Sequence, residues 1–509
     1  MHISKHSVFD LYSAAIVGIT GLAITFVLFF VSGCDAREVV EIERPFFEAP
    51  PEEALGFLGY DDEDEKLTVC GNCHVGQQSA WAGTGHADAW ESLQASGHAQ
   101  AFCENCHTVG PNGNQSTEPS GWASTQDSRY HDVQCESCHG LGEVHVANPD
   151  IDGSHPQASL AVGDLSDLAN ATGCAECHQG AHHPFAEEWA QSGHASVVSF
   201  AAAREECAGC HRGQGVLAAW RVTDSYVEKD AEEHLAITCG VCHDPHSGAN
   251  EGQLRRPIST SSVEQHLCAS CHNRRTAPDP NSSHGLSPHS PQTALLLGDA
   301  GWFPPDVEID QGEILPTHGS ASNAKLCATC HVNSFTVTDD ATGDFVFNAT
   351  GHLFTAAPCV NEQGIPTQSE CGITAVERSF AGCTDAGCHS SEENAALALS
   401  NTSTRIQERA DALIELLEMV DPGLEEAGGE IDAADPTFTA AEGAFFNYNL
   451  ATFGNDTRGA SAHNPYLTEA LLVASISTVI DTYNIVPSVT GHTREYWNTE
   501  LDRILSKNR

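Results

Sequence analysis

The chain has 509 residues and a formal net charge of -48, from 22 Lys and Arg against 70 Asp and Glu. That balance excludes nucleic acid and anionic lipid surfaces as natural partners, since both would repel it. An acidity of this size fits either a solvated surface in a saline habitat or the steering of basic redox partners and cations.

Residues 1–33 read as an export signal. Lys5 is the only Lys or Arg before an uncharged run from Leu11 to Gly33, which ends in Val31-Ser32-Gly33-Cys34. That ending resembles a bacterial lipobox, with cleavage before Cys34 and lipidation of the new N-terminal cysteine; the alternative is an uncleaved N-terminal membrane helix, because the run is long for a signal peptide. Either places the rest of the chain outside the cytoplasm, on the periplasmic or cell-surface side. Residues 34–66, acidic and proline-bearing, read as a solvated tether.

Residues 67–390 carry nine motifs that use 18 of the 21 cysteines. Eight have the form Cys-x-x-Cys-His: Cys70, Cys73 and His74; Cys103, Cys106 and His107; Cys135, Cys138 and His139; Cys174, Cys177 and His178; Cys207, Cys210 and His211; Cys239, Cys242 and His243; Cys268, Cys271 and His272; Cys327, Cys330 and His331. The ninth is expanded, with Cys383, Cys388 and His389. Cysteines three apart share a helical face, so both sulfurs can form thioethers to one porphyrin while the next histidine reaches its iron. Zinc also uses cysteine pairs and histidines, but its sites draw four ligands from separated pairs and do not call for a histidine directly after the second cysteine. The pattern therefore predicts nine covalently attached haems c. At the expanded motif a disulfide or an idle pair stays open as the alternative.

The first six motifs repeat: Cys70, Cys103 and Cys135 recur 104 residues later at Cys174, Cys207 and Cys239. This predicts two trihaem modules, 70–173 and 174–267, followed by three further haems. Of 28 histidines, nine follow haem cysteines and His2 and His6 lie in the leader, which leaves 17 for nine irons. Methionine is present only at Met1 and Met419, so histidine must supply nearly all sixth ligands, and low-potential bis-histidine haems are expected.

Candidate distal ligands follow from recurrence. His86 and His194 end matching Trp-Ala-x-x-Gly-His-Ala stretches, and Ser96-Gly97-His98 echoes them. His131 and His234 precede the third motif of each module, and His145 and His246 follow it. Between Cys268 and Cys327 a Pro- and Ser-rich stretch reads as one long loop over haem faces, with His289 and His318 as its ligands and His284 as a bystander; His352, after Thr350-Gly351, is a further candidate. Cys359 and Cys371 are left to form a disulfide.

Residues 391–509 read as a helical subdomain. Ser390-Ser391-Glu392-Glu393 is a helix start, and Ile406, Ala410, Leu413, Leu416, Leu417 and Val420 keep helical spacing up to Asp421-Pro422. A second helix is expected over 440–452 and a third from Asn464-Pro465.

The stretch Cys70-Gly-Asn-Cys-His-Val-Gly-Gln-Gln-Ser-Ala-Trp81 with Thr84-Gly85-His86-Ala87, and Val133-Gln-Cys135-Glu-Ser-Cys138-His139-Gly140 with His145, resembles the tetrahaem cytochrome that accepts electrons from hydroxylamine oxidoreductase. Asn447-Tyr448, Asp456-Thr-Arg-Gly459 and His463-Asn464-Pro465-Tyr466 resemble the C-terminal helices of the hydroxylamine oxidoreductase and pentahaem nitrite reductase lineage. The resemblance implies a mainly α fold with long irregular loops, haems in stacked and perpendicular pairs, and His463 as a distal ligand. The Cys-x-x-Cys-Lys motif of the nitrite reductases is absent, and no tyrosine is identified as the cross-linking residue of hydroxylamine oxidoreductase.

The function expected is electron transfer rather than catalysis: a membrane-tethered conduit between a membrane or periplasmic donor and an external or periplasmic acceptor. The alternatives are a hydroxylamine-oxidoreductase-like enzyme with one open haem acting on a small nitrogen or sulfur compound, and a subunit of an extracellular cytochrome filament.

Overall fold

A computed structural model describes residues 47–509 other than 152, 164–169, 223, 261, 283, 306, 310–313, 315, 316, 427–437, 486–490, 508 and 509. The chain divides into Met1–Glu48 and Ala49–Arg509. The leader, Cys34 and the first part of the acidic stretch lie outside the described residues. Among those described, no helix is long and apolar enough to cross a membrane.

The tether expected over 34–66 ends earlier than its charge implied. Ala54, Phe57 and Leu58 are buried, and Phe57 packs with Val109, Trp122 and Tyr130. Their apolar side chains win over the acidic neighbourhood because the backbone also finds partners: the Leu58 and Gly59 amides each donate to Glu136 at 2.8 Å, and the Tyr130 hydroxyl donates to the Phe57 carbonyl at 2.9 Å. Strands β1 (Tyr60–Asp62) and β2 (Leu67–Thr68) then form a small antiparallel pair that leads into the first motif.

From there to residue 390 the fold is a series of one- and two-turn helices joined by loops. Two more antiparallel pairs occur, β3 (Phe335–Thr338) with β4 (Phe345–Ala349) and β5 (Cys359–Val360) with β6 (Pro366–Thr367). A disulfide joins Cys359 to Cys371. The sequence duplication is also a duplication of contacts. Trp81 Nε1 donates to the Val133 carbonyl and Trp189 Nε1 to the Ile237 carbonyl, both at 2.9 Å. The Val133 amide donates to the His86 carbonyl and the Ile237 amide to the His194 carbonyl, both at 3.1 Å.

The stretch between Cys268 and Cys327, expected as one loop, contains the helix Gln292–Leu297. Its Ala294 and Leu295 join the C-terminal core, so an apolar run inside a Pro-rich segment folds because it has a surface to cover.

That core belongs to five helices: α1 (Glu392–Val420), α2 (Ala440–Ala451), α3 (Arg458–His463), α4 (Pro465–Tyr483) and α5 (Arg494–Lys507). Ser391 caps α1 by accepting from the Asn394 amide, Thr439 and Glu442 form a capping box on α2, and Asn464 accepts from the Leu467 amide at the start of α4. Ile406, Leu413, Leu416 and Leu417 of α1 meet Phe446 and Leu450 of α2 and Leu467, Leu471, Leu472 and Ile476 of α4. Helix α5 was not expected, although Trp497, Leu501 and Ile504 have helical spacing and are buried.

Candidate haem sites

Four of the standard motifs close on themselves in the same way, whereas in the Cys103 motif the His107 amide donates to the Glu104 carbonyl at 3.0 Å. In those four the histidine amide donates to the carbonyl of the first cysteine, from His74 to Cys70 at 2.9 Å, His178 to Cys174 at 3.0 Å, His243 to Cys239 at 2.9 Å and His272 to Cys268 at 2.9 Å. One helical turn therefore carries two sulfurs and an imidazole. The expanded motif reaches the same closure with two extra residues, as the His389 amide donates to the Cys383 carbonyl at 3.1 Å. Gly387, at φ 72°, makes the extra bend in a region that favours glycine.

Eight of the nine motif histidines face a second imidazole at nearly one distance. Ring centroids are separated by 6.3 Å for His74 and His145, 6.0 Å for His139 and His246, 6.2 Å for His178 and His86, 5.8 Å for His211 and His289. The values are 6.3 Å for His243 and His352, 6.1 Å for His272 and His194, 6.2 Å for His331 and His463, and 6.2 Å for His389 and His318. Two imidazoles each bound through one nitrogen at about 2 Å to one metal ion would have centroids about 6 Å apart. Rings in direct van der Waals contact would be closer, and rings without a common ligand would not repeat one spacing eight times.

The ring nitrogens are assigned by their partners. His107 Nδ1 points to the Ala89 carbonyl at 2.7 Å, His243 Nδ1 to Gly252 at 2.6 Å, His331 Nδ1 to Phe354 at 2.8 Å, His318 Nδ1 to Ala462 at 2.7 Å and His463 Nδ1 to Gly459 at 2.8 Å. A carbonyl only accepts, so Nδ1 carries the proton and Nε2 keeps its lone pair for iron. Burial first, and neighbouring imidazoles second, hold the pKa of His178 and His194 down to about 4, and burial lowers His352 and His463 to the same level. Neutral imidazole is the form that binds a metal. The His352 loop is further fixed by buried Glu188, which accepts from the amides of Thr350 at 2.8 Å and His352 at 2.7 Å.

A cavity of about 2690 Å³ runs through the molecule, lined by residues of seven motifs and by His86, His194, His318, His352 and His463. It is several times the size of an ordinary small-ligand pocket, usually about 300–1,000 Å³. The residues present thus fit haem: sulfurs, paired imidazoles and a space for several macrocycles.

Sulfurs of different motifs also come close. Cys70 and Cys135, Cys106 and Cys177, Cys174 and Cys239, Cys210 and Cys271, and Cys268 and Cys327 are near enough to perturb each other's ionisation. Cys138 interacts with Cys174, Cys242 with Cys268 and Cys271, and Cys330 with Cys388, at longer range.

Seven histidines expected as distal ligands, His86, His145, His194, His246, His289, His318 and His463, are brought opposite a motif histidine; so is His352. Two are not. His98 is exposed and His234 half-buried, and neither ring pairs with a motif histidine among the described residues. For His98 the Ser-Gly-His signature is present, but the segment lacks the Trp anchor that places His86 and His194. His131, the counterpart of His234, is held by aromatic packing, stacked 3.9 Å from Trp90 with Trp122 alongside.

The motifs and the geometry define a multihaem c-type cytochrome that binds haem c, a class loaded outside the cytoplasm. Residues 69–140 match the family model "Cytochrome c554 and c-prime", and residues 234–277 match the doubled CXXCH motif family. Among solved structures, the outer cell wall cytochrome OcwA is similar at 17% identity, covering 83% of this chain and 100% of its own, with a TM-score of 0.48. No curated protein matches the chain.

Proposed function

We propose that this protein is an electron conduit of nine haems c, eight of them bis-histidine, exported and tethered to a membrane through Cys34. The observation that carries the reading is the set of eight imidazole pairs at 5.8–6.3 Å. An iron held on both faces has no position for substrate; it can only gain and pass an electron. The neighbouring sulfurs supply the route. Thioethers at neighbouring sulfurs would bring porphyrin edges together, and this proximity orders the sites as a trunk running from Cys70 through Cys135, Cys174, Cys239, Cys268 and Cys327 to Cys383. The Cys103 site branches from the Cys174 site and the Cys207 site from the Cys268 site. Basic redox proteins at the trunk ends, a donor on one side and an acceptor on the other, suit the charge of -48.

Single-site deletions test the order of the trunk. Replacing Cys207 and Cys210 by Ala should remove one haem and leave electron passage from a bound donor to a bound acceptor nearly unchanged. Replacing Cys268 and Cys271 should cut the trunk in two and isolate the Cys207 haem, leaving sets that no longer equilibrate in stopped-flow reduction. Equal effects of the two deletions would sink the trunk.

An oxidoreductase needs an iron with an open position. The Cys103–His107 site is where that alternative finds support, since it is the one motif whose histidine faces no second imidazole at about 6 Å among the described residues.

A further inference from the structure

The trunk begins at the Cys70 site, where Cys70 neighbours Cys135. This end reaches the surface, since Cys73 is exposed. Exposed apolar side chains stand beside both of its imidazoles. Val75, 65% exposed, follows His74 and starts the helix Val75–Trp81, and Val144, 64% exposed, precedes His145 in the helix Glu143–Ala147. Because His74 and His145 face each other at 6.3 Å, the two valines flank one haem site. Leu141 and Ile151, on either side of the helix that carries His145, are exposed as well. An exposed apolar side chain is ordinary when alone, but four around one terminal site mark a contact surface.

The rim of that surface selects the partner. Asp61, Asp62, Glu63, Asp64 and Glu65, at the end of β1 and in the turn that follows, are exposed. Asp61 accepts from Asn72 Nδ2, inside the first motif, at 2.9 Å, which holds the acidic turn against the haem site. From residue 47 to residue 151 the chain has 17 Asp and Glu against two cations, Lys66 and Arg129. Both cations are held by acids elsewhere: Lys66 Nζ is 2.7 Å from Asp88 and 3.4 Å from buried Asp132, and Arg129 Nε is 3.8 Å from Asp127. The charge of the turn therefore faces solvent. The other trunk end is built differently. There Val376 is exposed, but Arg378 lies two residues on and is near enough to Arg458 to be repelled by it, so that end does not present one sign of charge.

We propose that the Cys70–His74 end of the trunk is the docking face for a small basic one-electron carrier protein, which seats an apolar patch on Val75, Leu141, Val144 and Ile151 while its lysines face Asp61–Glu65. One electron crosses and no bond changes: the carrier is oxidised as the haem at Cys70 is reduced, or the reverse. The acids act on encounter, by steering that salt screens, and the apolar patch acts on the lifetime of the complex. A face of this kind is small, below about 1,200 Å² in total, which lets the carrier leave after each transfer. This rests on the conduit reading above and adds to it a place and a partner chemistry for one end.

Stopped-flow mixing of the reduced holoprotein with an oxidised basic monohaem cytochrome tests it, with attached haem counted by mass in every variant. The second-order rate constant should fall steeply as salt is raised, and Asp62→Lys with Asp64→Lys should lower it about tenfold at low salt. Val75→Ser with Val144→Ser should lower it about threefold and leave its salt dependence unchanged, while Val376→Ser at the other end should change neither. Carbodiimide cross-links to the carrier's lysines, located by mass, should gather at residues 61–65. A rate indifferent to Asp62 and Asp64, cross-links gathered elsewhere, or an acidic carrier that reacts as fast at low salt would overturn the docking face. Cross-links at 61–65 without electron passage would keep the face and instead fault the conduit.

Discussion

Residues 47–390 and residues 391–507 are built on different physics. The C-terminal helices bury a continuous apolar core, with Leu413, Leu416, Phe446, Leu467, Leu472 and Ile476 all at 0% exposure. Apart from Leu286, Ala294, Leu295, Ala300 and Ile314, which join that core, the described residues of the motif region form small separate clusters, such as Phe57 with Tyr130 and Trp122, or Tyr60 with Trp81 and Ala87. Between these clusters lies the large cavity. A chain that encloses such a volume without an apolar core of its own depends on what fills it. The difference teaches that the cofactors are the core of one region and only neighbours of the other.

The strongest way to break this comparison is to withhold haem. Protein made without haem attachment should lose protease resistance throughout residues 67–390 while a helical fragment covering 391–507 survives; uniform digestion would show that the C-terminal core is not independent of the array. Next, Leu471→Ala in α4 should cost about 2–5 kcal/mol of stability in the C-terminal region, through lost burial and a cavity, without changing the spectrum of any haem. A smaller and more local effect is expected in the other region. Glu188→Gln weakens the hold on the His352 amide and should loosen the sixth ligand at the Cys239–His243 site alone, seen as partial high-spin character with thermal stability barely changed.

The least effect is a pH dependence confined to the helices. Hydrogen bonds from Arg503 and Arg409 hold Glu500 at about 2. Because this folded value lies below the unfolded one of about 4.3, the contribution is present above that pH and is lost as pH falls towards 2. Thermal unfolding of α1 and α5 should therefore lose stability over this window, and Glu500→Gln should flatten the loss.

What the sequence revealed divides along the same line. The Cys-x-x-Cys-His turns were legible because both sulfurs and the imidazole come from one short stretch, so spacing alone carries the geometry. Four of the histidines that face a motif histidine, His86, His145, His194 and His246, were legible from recurrence. Their partners were not, because His331 meets His463 and His178 meets His86 across long stretches of chain. His98 shows the limit of a local signature: Ser-Gly-His is present but the Trp anchor is missing. The three C-terminal helices showed in caps and apolar spacing, whereas α5 is short of apolar residues outside Trp497, Leu501, Ile504 and Leu505. Buried Phe57 and Leu58 were hidden inside an acidic stretch whose average composition outweighed them.

The central claim is that paired imidazoles hold the haems on both faces. Near-infrared magnetic circular dichroism of the oxidised protein, quantified against haem counted by mass, measures it directly. The account predicts eight low-spin haems with two histidine ligands each and one that differs. Several high-spin haems, or low-spin haems with a ligand other than histidine at the paired sites, would contradict it.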